Sequence, residues 1–142
     1  MTVDTAQRFS PRSLLLPVAL LACLFFAWNQ AASRRYDINS VNIEEARSLI
    51  DSGALVIDVR EESVYNSAHI PNAISVPLAV LRMGVPATLV YAREQPIVVY
   101  CGNGASVGPE GTAILNRAGF VKAVNIKSGL GGWRAAGLPV RP

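Results

Sequence analysis

Short apolar runs that alternate with segments of helical periodicity constrain the fold of this 142-residue chain more than any other feature. Residues 54–59 (ALVIDV) and 97–100 (IVVY) have the length and composition of strands buried on both faces. After a capping-box sequence at residues 42–45, apolar residues recur at helical spacing up to Ile50. Strands that alternate with helices predict an α/β fold, in which helices cover both faces of a parallel sheet.

The N-terminus carries an apolar stretch that stands apart from this pattern. Residues 14–28 contain no charge, and the stretch reaches 19 residues when it is counted to Ala32. That length is close to what a membrane-spanning helix needs, which favours an uncleaved anchor over residues 14–32. A cleaved signal peptide with its site near residues 31–33 stays open, as does a lipoprotein modified at Cys23.

These features divide the chain into an N-terminal tail with a hydrophobic helix, residues 1–35, and a globular domain, residues 36–142. A short N-terminal tail is easier to leave on the inner side of the membrane than to move across it. We therefore expect the protein to be membrane-anchored or exported, with its domain on the periplasmic or extracytoplasmic side.

Charge and composition exclude several classes of function. The net charge of +3 arises within residues 1–36, because residues 37–142 carry nine basic and nine acidic side chains. No nucleic-acid-binding surface is expected on such a domain. Two cysteines and a single histidine also argue against a disulfide scaffold and a structural metal site.

The stretch that says most about chemistry begins where the run at 97–100 ends. Cys101 opens a glycine-rich loop, and a helix start is expected at residues 108–110 (GPE). Ligands of parallel sheets bind at the carboxyl ends of strands, and a helix N-terminus stabilises a thiolate. The pattern predicts a thiol at the floor of an anion-binding cup formed by Gly102, Asn103, Gly104, Ala105, Ser106 and Val107. On this spacing alone, Cys101 is equally well a buried small residue beside a simple turn.

Five segments in order resemble the rhodanese-like sulfurtransferase family over residues 37–142. Residues 55–60 (LVIDVR) resemble the family's strand ending in DVR, and 68–73 (AHIPNA) resemble GHIPGA with two glycines replaced. The strand before Cys101, with Gly104, resembles the CxxG loop, and 117–120 (RAGF) resemble a helix end. Gly131-Gly132-Trp133, followed by residues 136–140, resembles the closing glycine pair and tryptophan in a compressed form.

The resemblance implies a central five-stranded parallel sheet and a sulfurtransferase with Cys101 as its catalytic residue. Cys101 would take a sulfane sulfur from a small donor such as thiosulfate or a polysulfide, hold it as a persulfide, and pass it to a thiophilic acceptor. A protein could be that acceptor. Backbone N–H groups of residues 102–107 would surround the terminal sulfur, and no metal or organic cofactor is implied.

The loop departs from the family pattern in two ways. Ala105 and Ser106 stand where the family commonly has arginine or lysine, which favours a persulfide or polysulfide donor over thiosulfate. The spacing from Cys101 to Gly119 is one residue longer than expected, as in related phosphatases, but Val107 stands where those need a phosphate-clamping arginine. The alternative to the enzyme is a non-catalytic rhodanese-like module that binds a partner or senses redox state.

Asp58 and Arg60 lie at the end of the apolar run at residues 54–59. They are expected at the same edge of the sheet as Cys101. They are interpreted mainly as a structural pair that holds loops in place. The functional alternative is that Arg60 supports catalysis by supplying part of the positive field that the loop itself lacks.

Overall fold

The computed structural model describes Cys23 and residues 36–142, and the latter form one compact unit. The predicted anchor over residues 14–32 lies outside the described residues apart from Cys23, a free cysteine with an exposed side chain. None of the helices in the described part of the chain is long and apolar enough to cross a membrane.

A single sheet of five parallel strands organises residues 36–142, as predicted. Its strands run in the order β1-β5-β4-β2-β3. They are β1 (Ser40–Val41), β2 (Leu55–Asp58), β3 (Ile74–Ser75), β4 (Ile97–Tyr100) and β5 (Ala123–Ile126). The central strand β4 is buried along its whole length, because its apolar side chains face helices on both sides.

Helices cover both faces of this sheet. They are α1 (Ile43–Asp51), α2 (Glu62–Ser67), α3 (Leu78–Met83), a 3₁₀ helix (Ala87–Ala92), α4 (Val107–Arg117) and α5 (Gly129–Ala135). Residues of α3, the 3₁₀ helix and α4 pack with Cys101 in one apolar cluster, and we refer to this side of the sheet as the Cys101 face. Residues of α1, α2 and α5 pack with Tyr100 in a second cluster, on the side referred to as the Tyr100 face. The predicted fold class is confirmed.

The strand order places the end of β4 at a crevice. After β2 the chain moves outward to β3 at one edge, whereas after β4 it moves to β5 on the other side. The connections that leave these two neighbouring strands therefore diverge, α2 on the Tyr100 face and α4 on the Cys101 face. Such a switch point leaves an open crevice at the carboxyl ends of the strands, and Cys101 follows β4 directly into it.

The local predictions differ in their outcomes. The capping box of α1 is confirmed, since Asn42 Oδ1 accepts from the Glu45 amide and the Glu45 carboxylate accepts from the Asn42 amide, both at 2.9 Å. The sequence of residues 36–38 (YDI) predicts a short first strand there. This prediction is wrong, because β1 occupies Ser40–Val41. The start of α4, expected at residues 108–110, lies one residue earlier. The helix begins at Val107, and Pro109 is accommodated in its first turn because amides there have no partner within the helix.

Candidate functional site

Cys101 lies between the end of β4 and the start of α4, on the opposite side of the sheet from its neighbour Tyr100. Side chains alternate along a strand, so Tyr100 joins the apolar cluster of one face and Cys101 that of the other. Cys101 is 0% exposed. The sulfur thus occupies the predicted place at the carboxyl edge of the sheet, but in this structure solvent does not reach the residue.

Three uncharged groups of the following loop lie within hydrogen-bonding distance of Cys101 Sγ. The amide of Gly104 donates to Sγ at 3.2 Å. Asn103 Oδ1 lies 3.7 Å from the sulfur and Ser106 Oγ lies 3.6 Å from it. The thiol hydrogen therefore has two oxygen acceptors, while the sulfur itself accepts from one backbone amide.

Gly104 is held in place from two sides. Its φ of 74° lies in the left-handed region, and a Cβ at this position would overlap the backbone carbonyls of Ile126 and Lys127. Its carbonyl oxygen accepts from Asn125 Nδ2 at 2.9 Å, and Asn125 is a residue of β5 with only 2% of its surface exposed. The hydrogen bond to its carbonyl therefore helps to fix the position of the residue whose N–H donates to the sulfur.

The other end of the Asn125 side chain is unusual. Among the described residues, none hydrogen-bonds to its buried Oδ1. A Cβ on Gly108 would lie 2.5 Å from this oxygen and 3.1 Å from Cys101 Sγ, so both atoms border the same small space. Unpaired buried polar atoms are rare in folded proteins and often mark functional sites.

The N-terminus of α5 holds the loop at a second point. The amides of Leu130 and Gly131 donate to the carbonyls of Cys101 and Gly102, at 2.8 and 2.9 Å. Gly129 precedes them with a φ of 55°, and a Cβ there would overlap the Cys101 carbonyl oxygen. Gly129 is therefore the glycine that lets α5 approach the Cys101 loop closely. The motif found in the sequence emphasised Gly131 and Gly132 instead. The available signal was a glycine three residues after the end of β5, directly after Ser128.

The side chain of Asn103 accepts hydrogen bonds from two further amides of the loop. Its Oδ1 accepts from the amides of Ala105 and Ser106, at 3.1 and 3.2 Å, and from Ser106 Oγ at 3.1 Å. The prediction placed all the amides of residues 102–107 around the sulfur. In the structure, Gly104 alone among them donates to Sγ, and two others bind an oxygen of the protein itself.

Gly102 and Val107, at the two ends of the predicted cup, make other contacts than the residues between them. Gly102 is exposed, and its carbonyl oxygen is the group that the α5 amide holds. Val107 is the first residue of α4, and its partly buried side chain packs against the apolar cluster of the Cys101 face. A valine there offers no hydrogen bond to a bound phosphoryl group, which argues against phosphatase chemistry.

Asp58 and Arg60 form a buried pair on the Tyr100 face. The Arg60 Nε donates to both carboxylate oxygens of Asp58, at 2.9 and 3.0 Å, and its Nη2 donates to the Ala68 carbonyl at 2.7 Å. The guanidinium lies over the ring of Tyr100, 5.6 Å from its centroid. Arg60 therefore contacts Tyr100, whose side chain points away from Cys101. This arrangement supports the structural interpretation over the functional one.

Tyr100 belongs to the same pair. Burial raises the pKa of its hydroxyl well above the ordinary value, and so do a hydrogen bond to the Asp58 carboxylate and the charge of that carboxylate. The hydroxyl oxygen also accepts from the amide of Ile70 at 3.1 Å. Its neutral form is therefore locked into the fold, which leaves it no role in proton transfer near neutral pH.

No group of three metal-ligating side chains that could hold a metal ion occurs in the described part of the chain.

Comparisons with known proteins cover nearly all of the compact unit. A family model described as Rhodanese-like domain matches residues 42–136. Uncharacterized protein YibN of Escherichia coli strain K12 is 25% identical over 139 residues, which are 94% of each chain. The tRNA sulfurtransferase of Thermoplasma acidophilum is 33% identical over 89 residues, which are 59% of this chain and 17% of that protein. The crystal structure of thiosulfate sulfurtransferase from Pseudomonas aeruginosa is 30% identical with a TM-score of 0.67, over 81% of this chain and 22% of the other.

Proposed function

The chain belongs to the rhodanese-like domain family, and from this premise we propose that it is a sulfurtransferase that carries sulfur on Cys101. One observation carries the proposal. The Cys101 sulfur lies at the carboxyl end of the central strand, at the start of α4, and accepts a hydrogen bond from the Gly104 amide at 3.2 Å. A backbone donor beside the sulfur stabilises the thiolate, which is the nucleophilic form of a cysteine.

The first half-reaction loads the cysteine. Once the loop has opened to solvent, Cys101 loses its proton to water, and its thiolate attacks the outer sulfur of a donor such as thiosulfate or a polysulfide. A bond forms between Sγ and that sulfur, and the donor's sulfur–sulfur bond breaks. The leaving group, sulfite or a shortened polysulfide, departs with the bonding electron pair.

The second half-reaction transfers the outer sulfur from Cys101 to the acceptor. A thiophilic acceptor, cyanide in an assay or a thiolate in a cell, attacks the outer sulfur of the persulfide. The new bond forms to the acceptor, and the Cys101 thiolate leaves with the electrons of the persulfide bond. The Gly104 amide faces the sulfur whose negative charge is consumed in the first step and restored in the second, and so stabilises both end states.

The donor class follows from the polarity of the loop. The groups that contact Sγ come from Gly104, Asn103 and Ser106, and all of them are neutral. A dianion such as thiosulfate gains no ion pair from such contacts, whereas an alkyl persulfide carries at most one negative charge and a polysulfide spreads its charge over a chain of sulfur atoms. We therefore propose a persulfide or polysulfide as the preferred donor, and a small thiol or a protein thiol as the acceptor.

The proposal extends to location. The apolar stretch over residues 14–32 would tether the domain to the cytoplasmic membrane, with residues 36–142 on its outer side. Fractionation followed by N-terminal sequencing of the mature protein distinguishes a retained anchor from a cleaved signal.

Sulfur loading of the two cysteines tests the proposed activity. The full-length protein is incubated with polysulfide and analysed by intact-mass spectrometry, then given cyanide, and thiocyanate is measured. We expect a mass gain of one sulfur atom and turnover in the parent and in Cys23→Ser, because Cys23 belongs to the N-terminal apolar stretch and not to the loop that follows Cys101.

Cys101→Ser is expected to lose both signals. If the parent shows neither a sulfur adduct on Cys101 nor thiocyanate, the sulfurtransferase proposal is wrong, and the interpretation as a non-catalytic module takes its place.

A further inference from the structure

The least expected feature of the loop is the side-chain oxygen of Asn103. It accepts hydrogen bonds from groups that were predicted to bind sulfur. Asn103 Oδ1 accepts three hydrogen bonds, from the amides of Ala105 and Ser106 and from Ser106 Oγ, all between 3.1 and 3.2 Å. The same oxygen lies 3.7 Å from Cys101 Sγ. It thus occupies a position that is both in contact with the reacting atom and surrounded by hydrogen-bond donors.

A second and independent observation is that the sulfur is inaccessible. Cys101 is 0% exposed, although Asn103 and Ser106 beside it are exposed residues. Their side-chain oxygens lie 3.7 and 3.6 Å from Sγ on the loop side of the sulfur. A nucleophile cannot reach a donor from a closed position, so these side chains must move before Cys101 reacts.

The space behind the sulfur offers no other place for a second sulfur atom. Asn125 Oδ1 and Sγ both border the Cα of Gly108, where not even a Cβ would fit. Asn125 is 2% exposed, and no described residue donates to that oxygen. An unpaired oxygen on this side also disfavours a negatively charged sulfur there, because it offers lone pairs and no hydrogen. The sulfur atom that is added to Cys101 must therefore lie on the side of Asn103.

We propose that Asn103 is the gate of the site: in the unloaded protein its Oδ1 occupies the place that the outer persulfide sulfur takes, and the side chain swings out when Cys101 is loaded. This inference rests on the proposed function and deepens it. The three donors released from Oδ1 then bind the outer sulfur, and a negatively charged acceptor receives stronger hydrogen bonds than a neutral amide oxygen does.

The geometry also defines the substrate class. The three donors converge on a single acceptor atom rather than on a spread of oxygens. A donor is accordingly recognised by an unbranched terminal sulfur that enters end-on, as in a polysulfide or an alkyl persulfide. The rest of the donor molecule stays outside the loop.

Alkylation of Cys101 tests the gate without requiring sulfur transfer. The full-length protein carrying Cys23→Ser serves as the reference, so that Cys101 is the only thiol, and iodoacetamide is used because it is uncharged. We expect Asn103→Ala to alkylate about tenfold faster at pH 7, since it removes the oxygen that the loop donors hold closed, and a factor of ten equals about one net hydrogen bond.

Asn103→Asp provides the opposite change in nearly the same shape. The same donors bind a carboxylate more strongly, so we expect alkylation slower than in the reference. Asn116→Ala is the matched control, because Asn116 also bonds to the backbone, with Nδ2 donating to the carbonyls of Phe120 and Ala123 at the far end of α4. Its alkylation rate should equal the reference.

Amide NMR on the loaded protein tests the exchange itself. We expect the Ala105 and Ser106 amide resonances to move when polysulfide adds one sulfur to Cys101. The gate is refuted if Asn103→Ala alkylates no faster than the reference, if Asn103→Asp alkylates as fast as Asn103→Ala, or if both resonances stay in place on a loaded protein. Faster alkylation of Asn103→Ala in a protein that never accepts sulfur would refute the proposed function and leave Asn103 as a gate over the thiol.

Discussion

Tyr100 and Cys101 are neighbours in sequence, yet they face opposite sides of the sheet and have opposite kinds of surroundings. On the Tyr100 face, Asp58 and Arg60 form a bidentate pair, and the tyrosine hydroxyl bonds to the backbone of a distant loop. On the Cys101 face, the hydrogen-bond partners of the sulfur among the described residues are all neutral, and two of the three belong to exposed residues. The charged groups are committed to structure, and the reacting atom is left among groups that can move.

This difference teaches why one strand end can be both rigid and reactive. A buried ion pair cannot change partners without leaving a charge unpaired, which is costly. Neutral hydrogen bonds exchange at a far smaller cost. The Tyr100 face therefore holds β2 and β4 in place, while the loop on the Cys101 face can open and close over the sulfur.

Removal of Asp58 should have the largest effect on stability. Asp58→Ala leaves the Arg60 guanidinium, whose side chain is only 10% exposed, without its partner, and we expect a loss of about 3–5 kcal/mol in the free energy of unfolding. Urea denaturation measures this. Asp51→Ala is the control, since Asp51 pairs with Arg47 on the surface and should change stability by less than ~0.5 kcal/mol. Equal losses in the two variants would show that the buried pair is not special.

Removal of Asn125 should produce an intermediate loss of stability together with a loss of activity. Asn125→Ala frees the Gly104 carbonyl, and with it the amide that faces the sulfur, so we expect a loss of about 1–3 kcal/mol and about tenfold slower sulfur transfer per folded molecule. Asn116→Ala should lose similar stability and retain its transfer rate, because its amide holds carbonyls away from the site. A transfer rate that falls equally in both variants would contradict a specific effect of Asn125 on the sulfur.

The smallest effect is expected from Tyr100→Phe, and it should depend on pH. Loss of the hydroxyl should lower stability by about 1 kcal/mol at neutral pH, since the Ile70 amide loses its acceptor. The folded protein raises the pKa of Tyr100, so its contribution is present below the ordinary value of about 10 and is lost as the pH rises above it.

Urea denaturation at pH 8 and pH 11 measures this pH dependence. The parent should lose more stability between these values than Tyr100→Phe does. Tyr91→Phe, at an exposed position, is the control and should behave like the parent. Identical pH dependence in the parent and in Tyr100→Phe would mean that the hydroxyl is not locked into the fold.

The sequence predicted those parts of the fold that rest on local patterns. The strand at Ile97–Tyr100 and the capping box at Asn42 follow from β-branched composition and from side chains three residues apart. The first strand was misplaced, since Ser40–Val41 is only two residues long and forms by pairing with β5, more than 80 residues later in the chain. No pattern within the first strand records that pairing.

The site was predicted in part, for the same reason. Cys101 and its glycine-rich loop are contiguous, so their chemistry is visible in one stretch of sequence. Asn125 and Gly129 were missed, because they reach the loop only through the folding of β5 and α5 against it. The direction of the Ala105 and Ser106 amides was also not predictable, since the loop holds two competing acceptors, the cysteine sulfur and the Asn103 side chain.

The two outermost strands of the sheet have a consequence for handling the protein at high concentration. β1 and β3 are each two residues long, so either margin presents very few free backbone groups to another molecule. Strand margins of this size give a poor template for intermolecular pairing, the usual start of fibre formation. Concentrated samples, and destabilised variants as well, should therefore resist ordered aggregation through the sheet.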